Sequence, residues 1–561
     1  MIAPKVANAH CRWMLVGIFV LTSVVQPRAM SASETAESGL APILNYIRST
    51  WDVLSRSMTR CDSVVDPKLR ETSLLYLPAD VPRPDAVKKL PEACKVRLES
   101  LPVVIHHPGQ PEVERIQTNG LLYLPNRYVV PGGRFNEMYG WDSYFIILGL
   151  IDDGRLDLAK GMVENFFYEI EHYGTVLNAN RTYYLTRSQP PFLTSMVLAV
   201  YNAEKIAQPA DRAWLERAYS LAAQDYQMWV EEPHLAGATG LSRYYDFGNG
   251  PAPESLQDEA SLGRKVAGYF LVRPEFAGSY IISDKVDSVG AHYAVEVCEA
   301  SADPSARSCD AAGDVTLSAD YYKGDRSMRE SGFDVSFRFE PYGAATHHFA
   351  PVCLNSLLYK TETDLAEISR ELGKSGDAEA WKRRAERRKA LIDQYLWDAQ
   401  RGLFFDYNFA QGHRSTYEFL TTFYPLWAGL ASPAQAGAVV ENLKRFEQSG
   451  GLVTSRENSG VQWDYPYGWA PLHLLAIEGL RRYGYDSDAD RVSLEFLSTV
   501  LKNFQREGTI REKYNVVTGS SETNVTAGYR ANVAGFGWTN GVFLRLLHEL
   551  PKPASQSLAQ H

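Results

Sequence analysis

The sequence predicts a mainly α-helical protein with a small β-rich insertion. Three observations carry that expectation. Apolar residues recur at helical spacing from about residue 155 to about residue 550. The stretches between them are dense in Gly, Pro, Trp and Asp, as connections are. One patch, about 266 to 322, departs from the helical period. There Tyr269, Leu271, Tyr280, Ile282, His292 and Tyr293 alternate with polar residues as a strand would.

Taken in order, the chain opens with Lys5 and Arg12 ahead of an apolar run, Trp13 to Val25. Pro27 and the small residues Ala29, Ser31 and Ala32 follow. A charged start, an apolar stretch too short for a comfortable bilayer span and small residues together form an export pattern. Residues 1–32 are therefore expected to be a cleaved signal peptide and the mature protein to be periplasmic or secreted, with an uncleaved anchor as the alternative. Residues 33 to about 125 read as mixed helix and loop with many prolines. Helical spacing then appears in Met162, Val163, Phe166, Phe167 and Ile170, and again in Met196, Val197, Val200 and Tyr201. It returns in Trp214, Leu215, Ala218 and Leu221, in Leu354, Leu357, Leu358, Leu365 and Ile368, and in Trp381, Ala385, Leu391, Ile392, Tyr395 and Leu396. Leu472, Leu475, Ile477 and Leu480, then Val542, Leu544, Leu546 and Leu547, complete the series. A single catalytic domain over 33–550 and a flexible tail over 551–561 are expected.

Charge narrows the partners. Cleavage at Ala32 would leave 54 basic against 67 acidic residues. An acidic chain without a basic tract is a poor ligand for nucleic acid or an anionic membrane, and a neutral small substrate fits better. A monomer is expected. Of six cysteines, Cys61 and Cys94 are one candidate pair and Cys298 and Cys309 another, leaving Cys353 as a small buried hydrophobe. No CxxC or HExxH occurs, and the His347-His348 pair would point apart on a helix. No metal and no cofactor are expected.

The chemistry gathers in the connections. They are Pro131 to Tyr144 (PGGRFNEMYGWDSY), Asn178 to Phe192 (NANRTYYLTRSQPPF), Arg273 to Glu275 (RPE) and Arg329 to Arg338 (RESGFDVSFR). Gln462 to Pro471 (QWDYPYGWAP) and Arg511 to Val516 (REKYNV) complete the set. Trp and Phe offer flat apolar faces to a pyranose, Arg, Asn and Gln place donors on vicinal hydroxyls, and two carboxylates can flank a glycosidic bond. Each piece has a plainer reading: Arg134 or Glu137 as an ion pair, Trp463 as core, Asp464 as a turn cap. Their co-occurrence in one chain favours a sugar cleft.

The first of these loops and QWDYPYGWAP closely resemble the two signatures of the α,α-trehalase family of glycoside hydrolases. The other segments resemble trehalase segments in the same order, from about Pro131 to Gly541. That resemblance implies an (α/α)6 barrel, inverting hydrolysis of α,α-trehalose, Asp334 as general acid and Glu512 as general base. It implies substrate contacts from Arg134, Phe135, Trp141, Asp142, Asn178, Arg187, Gln189, Arg273, Glu275, Gly332, Gln462 and Trp463. The alternatives are a glycosidase acting on another α-glucoside and a trehalose-binding relic. The chain also departs from the pattern. Phe333 replaces a Trp before the acid, Cys353 replaces an acid in PVCLN, and the stretch from Glu275 to Asp334 is long. The glycine-rich lid before GFGWTNG reads VTGSSETNVTAGYRAN, in which Glu522 and Tyr529 are the candidate lid pair.

Overall fold

A computed structural model of the chain describes the residues from Ala32 onward, apart from 67–71, 111, 114–115, 117–118, 208, 210, 256–258, 283–292, 299–308, 529–530 and 559–561. For the rest of 32–38, 255–261 and 282–314 it describes the backbone alone. The apolar run at 13–25, His292 and Tyr529 lie outside the described residues.

Six helices pack side by side into a closed ring. In ring order they are Asp142–Asp152, Leu193–Ala207, Val352–Glu371, Tyr424–Trp427 (continuing the 3-10 turn Leu420–Phe423), Ala470–Arg482 and Gly537–Glu549. The last packs back on the first. Outer helices back this ring: Leu156–Tyr173, Arg212–Val230, Ser375–Tyr395 and Asp486–Glu507 each follow and cover an inner helix. The short helix Pro433–Glu441 follows the fourth inner helix. The N-terminal helix Ala32–Leu54 covers the final inner helix, Gly537–Glu549. The architecture is the (α/α)6 toroid.

Sequence explains the two layers. Every residue from Asp142 to Leu150 is buried, as befits a helix covered all round. Leu156–Tyr173 instead buries one stripe that includes Met162, Val163, Phe166, Phe167 and Ile170. Helix ends are fixed locally. Asp211 and Ser318 cap their helices through the backbone N–H groups of Trp214 (3.0 Å) and Tyr321 (3.1 Å), and Ser432 forms a capping box with Gln435. The ring closes tightly because two glycines face each other. A methyl group on Gly541 would collide with the Phe145 carbonyl oxygen, and one on Gly149 with the Gly541 Cα.

Several elements differ from expectation. The proline-rich N-terminal region holds a three-stranded parallel sheet, with Ser73–Leu77 between Val96–Ser100 and Leu121–Leu122. Cys61 and Cys94 form a disulfide beside it. The insertion is part helical. Tyr269 and Leu271 lie in Glu259–Leu271, and Tyr280 ends Pro274–Tyr280. The helical face Val266, Ala267 and Phe270 is fully buried, and that spacing outweighs the sparse alternation around it. Strands do follow, Ile281–Ile282, Tyr293–Cys298 and Cys309–Leu317, in one antiparallel sheet that sets Cys298 opposite Cys309. Nor is the C-terminus a flexible tail throughout. Lys552–Leu558 is a helix packed on Ala32–Leu54 and Asp486–Glu507, with Leu558 buried. One apolar anchor in a polar stretch carries no period to read. Among the described residues no helix is long and apolar enough to cross a membrane.

Gly541→Ala is expected to destabilise the protein by about 1–3 kcal/mol through overpacking. Gly376→Ala, where a methyl group meets nothing, should leave stability unchanged or slightly raised. Thermal unfolding of the two variants beside the wild type checks this.

Candidate active site

The segments singled out for chemistry lead into inner helices. Those ending at Trp141, Phe192, Trp469 and Phe536 run straight into Asp142–Asp152, Leu193–Ala207, Ala470–Arg482 and Gly537–Glu549. The acid-bearing segment from Ser331 reaches Val352–Glu371. Their shared topology brings them together at one end of the ring.

Hydrogen bonds then lock the loops to one another. Gly140 N–H donates to the Asn178 carbonyl (3.1 Å), and Trp141 N–H donates to Gln189 Oε1 (3.0 Å). Arg187 Nε donates to Asn178 Oδ1 (2.8 Å). Its guanidinium also pairs with Asp246 (3.4 Å) and with Glu254. Glu254 faces Arg329 as well (3.8 Å), and Arg329 is held by Asp325 one turn back on its own helix (3.1 Å). Glu330 joins the second loop to this helix by accepting from the backbone N–H groups of Ser188 (3.3 Å) and Tyr245 (2.6 Å).

Asp334 sits partly exposed beside this charge cluster. Burial raises its carboxyl to about 7, against the opposing pull of Arg329 and Arg187. Glu254 has the opposite fate. Burial would raise it, but Arg187 and Arg329 outweigh that and hold it at about 2. Asp142 is pushed well above the usual range by burial, with further pressure from Glu512 and Asp334. Asp142, Asp334, Glu254 and Glu512 are therefore linked in one electrostatic environment. The chain reaches Asp334 through Gly332, whose φ is +76° and whose added methyl would lie 2.9 Å from the Trp141 ring. Both facts require glycine there.

Glu512 approaches from the other wall. It precedes the strand Lys513–Asn515, which pairs with Tyr467–Trp469. Its backbone is pinned by Glu512 N–H to the Val533 carbonyl (3.1 Å) and by the Trp538 indole N–H to the Glu512 carbonyl (3.1 Å). The buried Lys513 ammonium donates to Glu512 Oε2 (3.1 Å) and to Gln462 Oε1 (3.2 Å). The Gln462 amide in turn donates to the Asp334 carbonyl. A continuous path of hydrogen bonds thus connects the two walls.

Trp141, Trp463, Trp469, Trp538 and Phe333 form one aromatic cluster, with Trp463 stacked on Trp469 at 3.8 Å. Trp141 and Trp463 are each only 2% exposed, so the cluster is a packed core beneath the loops. Arg134 is exposed and stacks on Phe135 (4.6 Å) at the rim. Asp464 is buried and held by Ser455, Ser459 and the Phe337 N–H, and Glu137 is a buried partner of Arg181. Cys353 accepts from Arg338 (3.4 Å), while Asp406 supplies the charge for that guanidinium (2.6 Å).

Two expected residues fall outside this group. Arg273 stacks on Tyr269 (3.6 Å) and donates to the Tyr269 carbonyl (2.9 Å), and Glu275 is exposed in the first turn of Pro274–Tyr280. The helix starting at Pro274 carries both into the insertion. The acid that pairs with Arg187 is Glu254, in Pro-Glu-Ser within the Gly/Pro-rich stretch NGPAPES. That short stretch has the composition of the other functional loops and was the available signal. Arg329 and Lys513 are not among the expected residues, although Arg329 opens the RESGFDVSFR segment and Lys513 adjoins Glu512. The stretch expected to form the lid packs at and just before the QWDYPYGWAP segment. Thr526 N–H donates to the Gly460 carbonyl (2.8 Å), and an added methyl on Gly528 (φ +103°) would lie 2.7 Å from Gln462. Glu522 is exposed.

Arg187→Met leaves Glu254 and Asp246 buried without this guanidinium. Breaking a buried pair in this way costs about 3–5 kcal/mol. The expected result is a clear drop in the thermal midpoint, whereas Arg134→Met at the exposed rim should leave the midpoint unchanged.

The trehalase family model matches residues 89–281 and 296–551. A probable trehalase from Eremothecium gossypii is 41% identical over 466 residues, covering 77% of this chain and 59% of that protein. A cytosolic neutral trehalase from Kluyveromyces lactis is 38% identical over 518 residues, covering 86% and 63%. The chain thus spans less than two thirds of the length of these curated relatives. The structure of neutral trehalase Nth1 from Saccharomyces cerevisiae superposes with a TM-score of 0.74 at 31% identity, covering 93% of this chain and 96% of that one. These relatives correct the expected signal peptide and periplasmic or secreted location. Those from Kluyveromyces lactis, Emericella nidulans and Neurospora crassa are named cytosolic, which points inside the cell. A short apolar run is a compositional sign only and does not outweigh them. With the family model matched over most of its length and the barrel shared, the chain belongs to the trehalase family.

Proposed function

We propose that the protein hydrolyses α,α-trehalose to two glucose molecules with inversion at one anomeric carbon, inside the cell, as a monomer with one catalytic domain. The observation that carries this reading is a pair of carboxyl-bearing residues joined by one hydrogen-bond path through Gln462 and Lys513. Asp334 is raised to about 7, and Glu512 is oriented by the Lys513 ammonium.

In this reading Asp334 gives its proton to the glycosidic oxygen as the bond from that oxygen to the anomeric carbon breaks. Glu512 takes a proton from a water molecule as the water oxygen bonds to the same carbon from the opposite face. The products are one α- and one β-glucose. Arg187, Asn178 and Gln189 hold sugar hydroxyls, with Glu254 in the place expected of Glu275. Arg134 and Phe135 act at the rim, and Asp142, Gln462 and Gly332 shape the pocket over the Trp141–Trp463 core. Desolvation keeps Asp334 protonated near neutrality, as a general acid must be.

Asp334→Asn and Glu512→Gln should each lower turnover by about 10²- to 10⁴-fold, the usual contribution of a positioned acid or base. Proton NMR of the first product should show equal α- and β-glucose. Retention, or a wild type that binds trehalose without cleaving it, overturns the reading, as does cleavage of another α-glucoside in preference.

The pH profile follows with a definite sign. Asp334 must be protonated, so kcat should hold below about pH 7 on this limb. Above that it should fall about tenfold per pH unit as the acid ionises. A kcat that stays flat to pH 9 would remove Asp334 from the acid role.

A further inference from the structure

His347 and His348 are neighbours in sequence, and neighbours on a regular helix project apart. Here they close a short 3-10 turn, Thr346–His348, and the chain leaves it in extended conformation at Phe349 (φ −112°, ψ 143°). The two rings end on the same side, with centroids 3.9 Å apart. Both Nε2 atoms face one carboxylate oxygen, Asp320 Oδ1, at 2.9 Å from His347 and 3.8 Å from His348. The three donor atoms all lie within 4.8 Å of one another. Asp320 belongs to the first turn of Ala319–Glu330, a different element. Arg243 fixes the turn from behind by donating to the His347 carbonyl (2.8 Å).

We propose that Asp320, His347 and His348 bind a divalent transition-metal ion, zinc above all. Two imidazole nitrogens and one carboxylate oxygen are a borderline donor set suited to zinc, which takes them at about 2.0–2.2 Å in a tetrahedron. Donors already this close need only small side-chain movements to surround one ion. Three protein ligands leave the fourth position to water. The site is open enough to supply it, since the Asp320 and His348 side chains are 44% and 31% exposed while His347 is 6% exposed.

The position gives the ion a structural task. Asp320 and the two histidines bracket the segment that carries Arg329, Gly332 and Asp334. An ion held there clips the start of Ala319–Glu330 to the turn before Val352–Glu371, and so shortens the free span of the acid-bearing loop. Because metal binds the folded site and not the unfolded chain, it should raise stability by mass action.

The test is isothermal titration of the chelator-stripped, full-length protein with zinc chloride. One zinc per chain is expected. Asp320→Asn, His347→Ala and His348→Ala should each weaken binding roughly tenfold or more, the scale of even an outer-ligand loss. Zinc should raise the thermal midpoint of the wild type and not of the variants, all of which should still hydrolyse trehalose. Should the variants fail to fold, the cobalt-loaded wild type decides. Paramagnetically shifted proton signals from two imidazoles support the site. No saturable binding by the wild type, no shifted imidazole signals, or variants that bind zinc as tightly as the wild type overturn it.

Discussion

The buried Arg187 guanidinium is the constraint on which the site depends. A fully desolvated cation must find anionic partners within the fold. Arg187 recruits Asp246 from a loop after the second outer helix, Glu254 from a 3-10 turn and the Asn178 side-chain amide oxygen from earlier in its own loop. Two distant stretches are thereby held to the Arg187 loop. Arg329 then adds a second cation, and Asp334 experiences both cations and the anion between them. What sets its proton affinity is the balance of burial against that cluster.

The opposite wall is organised by a neutral side chain. Gln462 uses its amide N–H on the Asp334 carbonyl and its oxygen on Lys513, which in turn reaches Glu512. A charged residue in place of Gln462 would disturb the balance on one side or the other; the amide spans the gap without adding charge. The strand pair Tyr467–Trp469 with Lys513–Asn515 makes this arrangement rigid. The stacked Trp463 and Trp469 rings press it against the cluster that includes Phe333.

Many of the helices were legible because they bury long apolar stripes, such as Leu354, Leu357, Leu358, Leu365 and Ile368, while the barrel they form was implied by the family resemblance. The first inner helix, Asp142–Asp152, was harder: it is buried all round and has no stripe. The short strands Ser73–Leu77 and Leu121–Leu122 lie among prolines and were hidden by them. Arg187, Asn178, Gln189 and Trp141 are expected together from loop composition and family resemblance, and hydrogen bonds link Arg187 to Asn178 and Trp141 to Gln189. Arg273 and Glu275 lie in the insertion, apart from the Arg187 cluster, because nothing in a tripeptide reports which way the following helix will carry it. Glu254 belongs to the site through a contact 67 residues away from Arg187, which no local pattern encodes. The His347-His348 orientation likewise depends on a 3-10 turn and not on a helical period.

The Gln462 bridge has a consequence for evolution and for engineering. The residues that position the proposed acid and base share one side chain, so the two are mechanically yoked. A substitution that moves the acid's backbone also tugs, through the amide and the ammonium, on the group across the cleft. Adjusting the acidic and alkaline flanks of activity separately would require a decoupled architecture; in this one, selection for a new working pH must retune both walls together.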